Sequence, residues 1–328
     1  MPNGDTMQHF TAIAAGPELA QLAGKHGQVL AVLSNAVYLR CHGGQIAGIL
    51  GQSAEDGPYS LRVRDIDLLI QSLKGQESLT FTSTGTSLEL QGVATLDLSR
   101  ARQWQAKLPG EIADVAARIR AVRALLSLLE GSWCSRGGCG LATYLYGPHR
   151  SLPVLSEVPR LMTNATASDM LLRGLVERVT SFQAAATELE VQPASQALVG
   201  LLGLGAGLTP SGDDIAAGIL ATLVWQAGLG GIPADFARYQ VEAIRNAASS
   251  ITNDISVRLL WHAGDGLLYA PAMELGAALL AGDVESIPGP ARRLLSIGHS
   301  SGADMTTGLL AGVVAGIELE SRSKVPSY

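Results

Sequence analysis

Two short segments of the chain combine hydroxyl, glycine and carboxylate residues in the same order. The first is Ser211-Gly212-Asp213-Asp214, and the second, 90 residues further along, is Ser301-Gly302-Ala303-Asp304. Each runs into an uncharged apolar stretch, so we expect each to begin a buried helix. If the two helix starts converge, their carboxylates, hydroxyls and free amides form a polar site.

Helix capping is the alternative explanation for both segments. A serine at the N-cap accepts from the N3 amide, and an acid three residues later reaches back to the cap amide. Ser211 with Asp214 and Ser301 with Asp304 fit this capping box. Asp213 is not needed for it, so capping leaves one acid unexplained.

The residues around these segments favour a site. Gly203, Gly205 and Gly207 alternate just before Thr209, which is typical of a loop whose amides approach a ligand closely. His299 adds a titratable imidazole ahead of the second segment. The candidate catalytic residues are therefore His299, Asp213, Asp214 and Asp304. The candidate binding residues for substrate and phosphate are Gly205, Gly207, Thr209, Ser211, Gly212, Thr252, Ser256, Ser300, Ser301 and Gly302.

The stretch around Thr252 and Ser256 also has a simpler interpretation, because Thr252 or Asp254 can serve as the N-cap of a short helix. Phosphate at a site this rich in acids requires a compensating cation. The candidates are Arg258, Arg292 and Arg293, or a Mg²⁺ ion held by Asp213, Asp214 and Asp304. No cofactor is certain. Cys134 and Cys139 resemble half a metal site but lack a second Cys/His pair.

The composition excludes several classes of protein. The chain has 328 residues, a net charge of −6 and only 16 % charged residues, so neither nucleic acid nor an anionic membrane is an expected partner. Three cysteines and an N-terminus without an apolar signal segment predict a cytoplasmic protein. The uncharged stretches 191–212 and 214–235 are interrupted by polar residues, so we expect buried helices rather than membrane spans.

The order of the predicted elements indicates an α+β protein. Residues 1–105 form an antiparallel β-rich sheet or small barrel, and residues 106–328 form a mainly α-helical domain. Strands are predicted within 28–41, 44–50, 58–64, 78–84, 86–90 and 93–98. Helices are predicted from Glu111 to a stop at Gly131 and from Ser168 to Glu190, with a glycine-rich loop at 131–140 after the first.

The segment Gly203–Asp214 resembles the signature of the oxamate carbamoyltransferase subunit family. Thr252 with Ser256 and Gly264 resembles a second block of that family, and Gly298–Asp304 a third. The strand-rich half resembles it only loosely, through a Ser34-Asn35-Ala36 strand and Gly57-Pro58.

The resemblance implies a subunit of a multi-protein carbamoyltransferase of allantoin (purine) degradation. Such a complex interconverts oxalurate and phosphate with oxamate and carbamoyl phosphate, from which a carbamate kinase draws ATP. The implied partners are the other subunits, the small carbamoyl or ureido substrate and phosphate, with a homo-oligomer also compatible. Two other functions stay open. One is a Mg²⁺-dependent helical hydrolase, and the other is a non-catalytic ligand-binding or assembly subunit with apolar interfaces.

Overall fold

The chain divides into a β-rich unit, Met1–Ala106, and a helical unit, Lys107–Tyr328. The structure is a computed structural model that describes residues 7–74, 79–132 and 167–323. Strands come first and helices second, so the predicted α+β class is confirmed.

The β-rich unit is a mixed sheet that closes on itself. Its order is β5-β4-β3-β2-β6-β7-β8-β1-β9, and a further pairing of β1 with β5 closes eight strands into a barrel. Two helices accompany the strands, α1 (Pro17–Ala20) and α2 (Ile66–Leu73). The strands are β1 (Gln8–Ala15), β2 (His26–Val32), β3 (Ala36–Cys41), β4 (Ile46–Gly51), β5 (Ser60–Val63), β6 (Thr80–Ser83), β7 (Ser87–Leu90), β8 (Ala94–Asp97) and β9 (Arg102–Gln103).

The barrel differs from a purely antiparallel sheet at three pairings. Strand β1 runs parallel to β8 and to β9, and β4 runs parallel to β5. The first strand of the chain therefore closes the barrel against strands far away in sequence. Ser34 and Asn35 lie in the bend between β2 and β3 rather than in a strand. Alternate apolar residues such as Leu39, Ile49 and Leu61 fill the core.

The helical unit begins with α3 (Val115–Ser132). This helix starts four residues later than Glu111 and continues through Gly131, which was expected to stop it. Cys134, Cys139 and the remainder of the predicted 131–140 loop lie outside the described residues. The other helices are α4 (Ala167–Thr187), α5 (Val191–Val199), α6 (Ser211–Gly228), α7 (Ala234–Ile251), α8 (Asp254–Gly264), α9 (Ala270–Ala281), α10 (Pro288–Leu295) and α11 (Ser301–Ser323).

Helices α6 and α11 pack against each other at the centre of the helical unit. Most of α6 is buried, including its acidic first turn, as its uncharged sequence predicted. Helix α11 is long and apolar enough to cross a membrane, and 89 % of its most apolar window is buried inside the structure. Such burial is typical of a core helix, and the two segments singled out by their sequence are the starts of these two helices.

Candidate functional site

The starts of α6 and α11 meet, as their shared pattern suggested. The hydroxyl oxygens of Thr209 and Ser301 are 2.9 Å apart. Further along, the helices cross where Gly218 of α6 faces Gly308 of α11. A Cβ built at Gly218 would lie 2.6 Å from the Met305 carbonyl oxygen, and one at Gly308 would overlap the Ile215 carbonyl oxygen. The two backbones approach so closely because neither residue has a side chain.

Hydroxyls of each helix start stabilise the ionised carboxyl of the other helix. The Ser301 and Thr209 hydroxyls draw the pKa of Asp214 downward. The Ser211 and Ser300 hydroxyls draw the pKa of Asp304 downward. Each serine hydroxyl therefore acts on the carboxyl of the other helix, so that the two helix starts are linked.

The predicted capping boxes are therefore wrong. Pro210 is the N-cap of α6, so Ser211 is the first helical residue and no side chain caps this end. The Asp304 amide donates to the Ser300 carbonyl oxygen at 2.9 Å, so Ser300 precedes the first turn of α11. Both serines lie one position too far into the helix to cap it, and this leaves their hydroxyls free for the opposite acid.

Asp214 and Asp304 are both buried carboxyls with spare hydrogen-bonding capacity. Their residues are 1 % and 9 % exposed. Burial raises the pKa of Asp214 well above its usual range; the Asp304 and Asp213 charges add to this increase, and the Ser301 and Thr209 hydroxyls oppose it. Burial also raises the pKa of Asp304, against the hydroxyls of Ser211 and Ser300. Within the described residues, Oδ2 of each carboxyl is buried without a hydrogen-bond partner.

Asp213 has a different role from its neighbour. It is fully buried, and its two oxygens accept from the Gly203 amide at 2.8 Å and from the Thr252 hydroxyl at 2.5 Å. The Ser256 hydroxyl donates to the Leu208 carbonyl oxygen at 3.3 Å. In these contacts Asp213, Thr252 and Ser256 hold the glycine-rich loop in place.

The short helix α8 is capped by a residue that the sequence reasoning missed. The side chain of Asn253 accepts from the amides of Ile255 and Ser256. The proposed caps, Thr252 and Asp254, are therefore wrong by one residue on either side. Asparagine immediately before an apolar helical run was the available signal, since it is a preferred N-cap.

The glycine-rich loop presents free backbone amides. Among the described residues, the N–H groups of 205–209 donate to no other group. Gly205 has φ +123°, and a Cβ there would lie 2.6 Å from the Ser211 amide nitrogen, so only glycine fits this turn. The amides of Gly212 and Gly302 are not free, because they donate to the carbonyl oxygens of Leu204 and Ile297.

The remaining candidates are the imidazole of His299 and three arginines. His299 is exposed, and it is not among the groups that shift the pKa of Asp304. Arg293 pairs with Glu274 at 2.9 Å, and Arg292 is exposed. Burial lowers the pKa of Arg258, against the opposing charge of Asp265.

A metal is poorly matched to the donors of the site. In the described part of the chain, no group of three or more His, Cys, Asp and Glu side chains is arranged to hold a metal ion. Asp213 already uses both carboxylate oxygens on Gly203 and Thr252. A Mg²⁺ ion shared with Asp214 and Asp304 would have to replace these two bonds, and the Mg²⁺ site stays a prediction.

A protein-family model matches part of the helical unit. No curated protein and no solved structure matches the chain. The matching family model is that of oxamate carbamoyltransferase subunit AllH, over residues 201–313. This range contains the glycine-rich loop, both crossed helix starts and the Thr252 segment. The resemblance inferred from Gly203–Asp214 is thereby confirmed, and over residues 201–313 the chain is identified as similar to oxamate carbamoyltransferase subunit AllH.

Proposed function

We propose that this chain is a subunit of an oxamate carbamoyltransferase and that Asp214 and Asp304 handle the protons of the transfer. The observation that supports this is the buried carboxyl pair, which lies inside the segment matching the family. Each member has an unpartnered oxygen and a raised pKa. Carboxyls with raised pKa values are the usual general acids and bases of such sites.

The transfer needs proton movements at two atoms. An oxygen of phosphate bonds to the ureido carbon of oxalurate, and the bond from that carbon to the imide nitrogen breaks. Carbamoyl phosphate and oxamate form, and the proton of hydrogen phosphate ends on the nitrogen of oxamate. In the proposal, the ionised member of the acid pair takes the phosphate proton, and the protonated member gives its proton to the departing nitrogen.

The glycine-rich loop is the proposed seat for phosphate. Its amides at 205–209 have no other acceptor among the described residues, and they precede the positive end of α6. Phosphate over these amides and the ureido group over the acid pair would separate the anion from the two carboxyls. The hydroxyls of Thr209 and Ser301 lie where these two subsites would meet.

The test is phosphorolysis of oxalurate by the assembled complex, prepared with and without this chain. Formation of oxamate and carbamoyl phosphate should require the chain and should fall at least about 100-fold in Asp214→Asn. Asp235→Asn is the matched control, because Asp235 also lies in the first turn of a helix but is exposed. Full activity without the chain would contradict the proposal altogether. Full activity in Asp214→Asn would contradict the catalytic role of the acid pair and leave an assembly role.

A further inference from the structure

The site is built from one local design used twice. A Cβ at Gly212 would overlap the Leu201 carbonyl oxygen, and a Cβ at Gly302 would overlap that of Leu294. Gly302 therefore lies against the end of α10, and Gly212 lies against the residues that follow α5. Gly218 and Gly308, at equivalent places in the two segments, face each other. Contacts of this reciprocal kind are typical of a two-fold arrangement.

The reciprocal arrangement lets the Asp304 charge act on Asp214. Each receives a hydroxyl from the other repeat, and the Asp304 charge raises the pKa of Asp214. Asp213 is the other charged group that acts on Asp214, and no charged group is among the causes of the Asp304 shift. Two buried carboxyls that interact in this way tend to hold one proton between them.

A pair with one proton has both a donor and an acceptor to offer a ligand. The unpartnered Oδ2 atoms of Asp214 and Asp304 are the atoms available for this, since both are buried without a hydrogen-bond partner among the described residues. A neutral amide or ureide presents the complement, because its carbonyl accepts one hydrogen bond and its NH₂ donates another. A carboxylate in the same place offers acceptors only and adds a negative charge beside the pair.

We propose that Asp214 and Asp304 together bind the neutral H₂N–C=O group of oxamate, the substrate of the reverse transfer, and exclude a carboxylate from that position. The protonated carboxyl donates to the carbonyl oxygen, and the ionised one accepts from the NH₂ group. This inference deepens the proposed function, on which it rests for the identity of the substrate.

The test compares two probes of nearly the same shape. Oxamate carries an amide where oxalate carries a second carboxylate. Calorimetric titration of the complex at neutral pH should show oxamate binding at least about tenfold more tightly than oxalate. In the double variant Asp214→Asn/Asp304→Asn the preference should fall to about threefold or less, because two neutral amides no longer repel the anion. Asp235→Asn should keep the full preference.

The outcomes separate this inference from the proposed function. Oxalate binding as tightly as oxamate, no detectable oxamate binding, or an unchanged preference in the double variant would overturn the inference, even if phosphorolysis proceeds. A preference that depends on both acids, in a complex that produces no carbamoyl phosphate, would keep the inference and reject the proposed reaction. Circular dichroism of the double variant checks that the helix content is retained.

Discussion

Replacing Gly308 by alanine tests whether the close crossing of α6 and α11 holds the acid pair together. The added Cβ would overlap the Ile215 carbonyl oxygen and lie 3.0 Å from the Gly218 Cα. The helices must move apart until the carbon–oxygen contact reaches about 3.3–3.6 Å. Overpacking of this kind costs about 1–3 kcal/mol. Because each helix start contributes one member of the acid pair, moving the helices apart should lower activity together with stability.

Gly228→Ala is the matched control for this substitution. Gly228 lies at the end of α6, and no described atom beyond its chain neighbours and its own helix backbone comes within 4 Å of a Cβ built there. Both variants gain roughly 0.5–1 kcal/mol from replacing a helical glycine. The difference between them is therefore the overpacking term, which for a unit of this size corresponds to roughly 2–12 °C in Tm. Differential scanning calorimetry measures it, and equal Tm values for the two variants would refute the packing argument.

Three further substitutions test other parts of the site. Asp214→Asn should stabilise the protein increasingly as the pH rises above about 4, because a buried carboxyl with a raised pKa favours folding only while it is protonated. Thermal unfolding of wild type and variant between pH 4 and 8 measures this, and a Tm difference that does not change with pH would contradict it. Thr252→Val should cost about 1–3 kcal/mol in urea unfolding, since it leaves an oxygen of the buried Asp213 without its donor; unchanged stability would show that this bond contributes nothing. Gly205→Ala should reduce phosphorolysis at least about tenfold by displacing the loop from Ser211, with a strain cost of about 1–3 kcal/mol; Gly230→Ala shares the positive φ without the clash and should keep activity.

Local patterns in the sequence predicted much of the fold. Period-two alternation marked strands β5 and β7, and uncharged runs after Asp214 and Asp304 marked the two central helices. The closure of the barrel by β1 was not predictable in this way, because parallel pairing with β8 depends on residues more than eighty positions away. Helix α3 continues through Gly131 because one glycine costs a helix only about 1 kcal/mol relative to alanine.

The sequence patterns predicted which residues belong to the site but not which of them interact with one another. The repeated Ser-Gly-x-Asp pattern identified both helix starts, yet a serine three residues before an acid fits a capping box equally well. Which carboxyl a serine hydroxyl interacts with depends on how the two helices cross. The signal for that crossing was present in the matched positions of Gly218 and Gly308. The sequence could not show that Asp213 is buried and bonded to Gly203 whereas His299 is exposed, because burial and this contact depend on the tertiary structure.

The central claim is that Asp214 and Asp304 act as one unit, and a double-mutant cycle on phosphorolysis tests it most directly. Each single variant, Asp214→Asn and Asp304→Asn, should lower kcat/KM by at least about 100-fold. The double variant should lose little more than either single one, because removing one member already disables a pair that shares a proton. Losses that multiply, or a single variant with wild-type kcat/KM, would show that the two carboxyls act independently and would contradict the account.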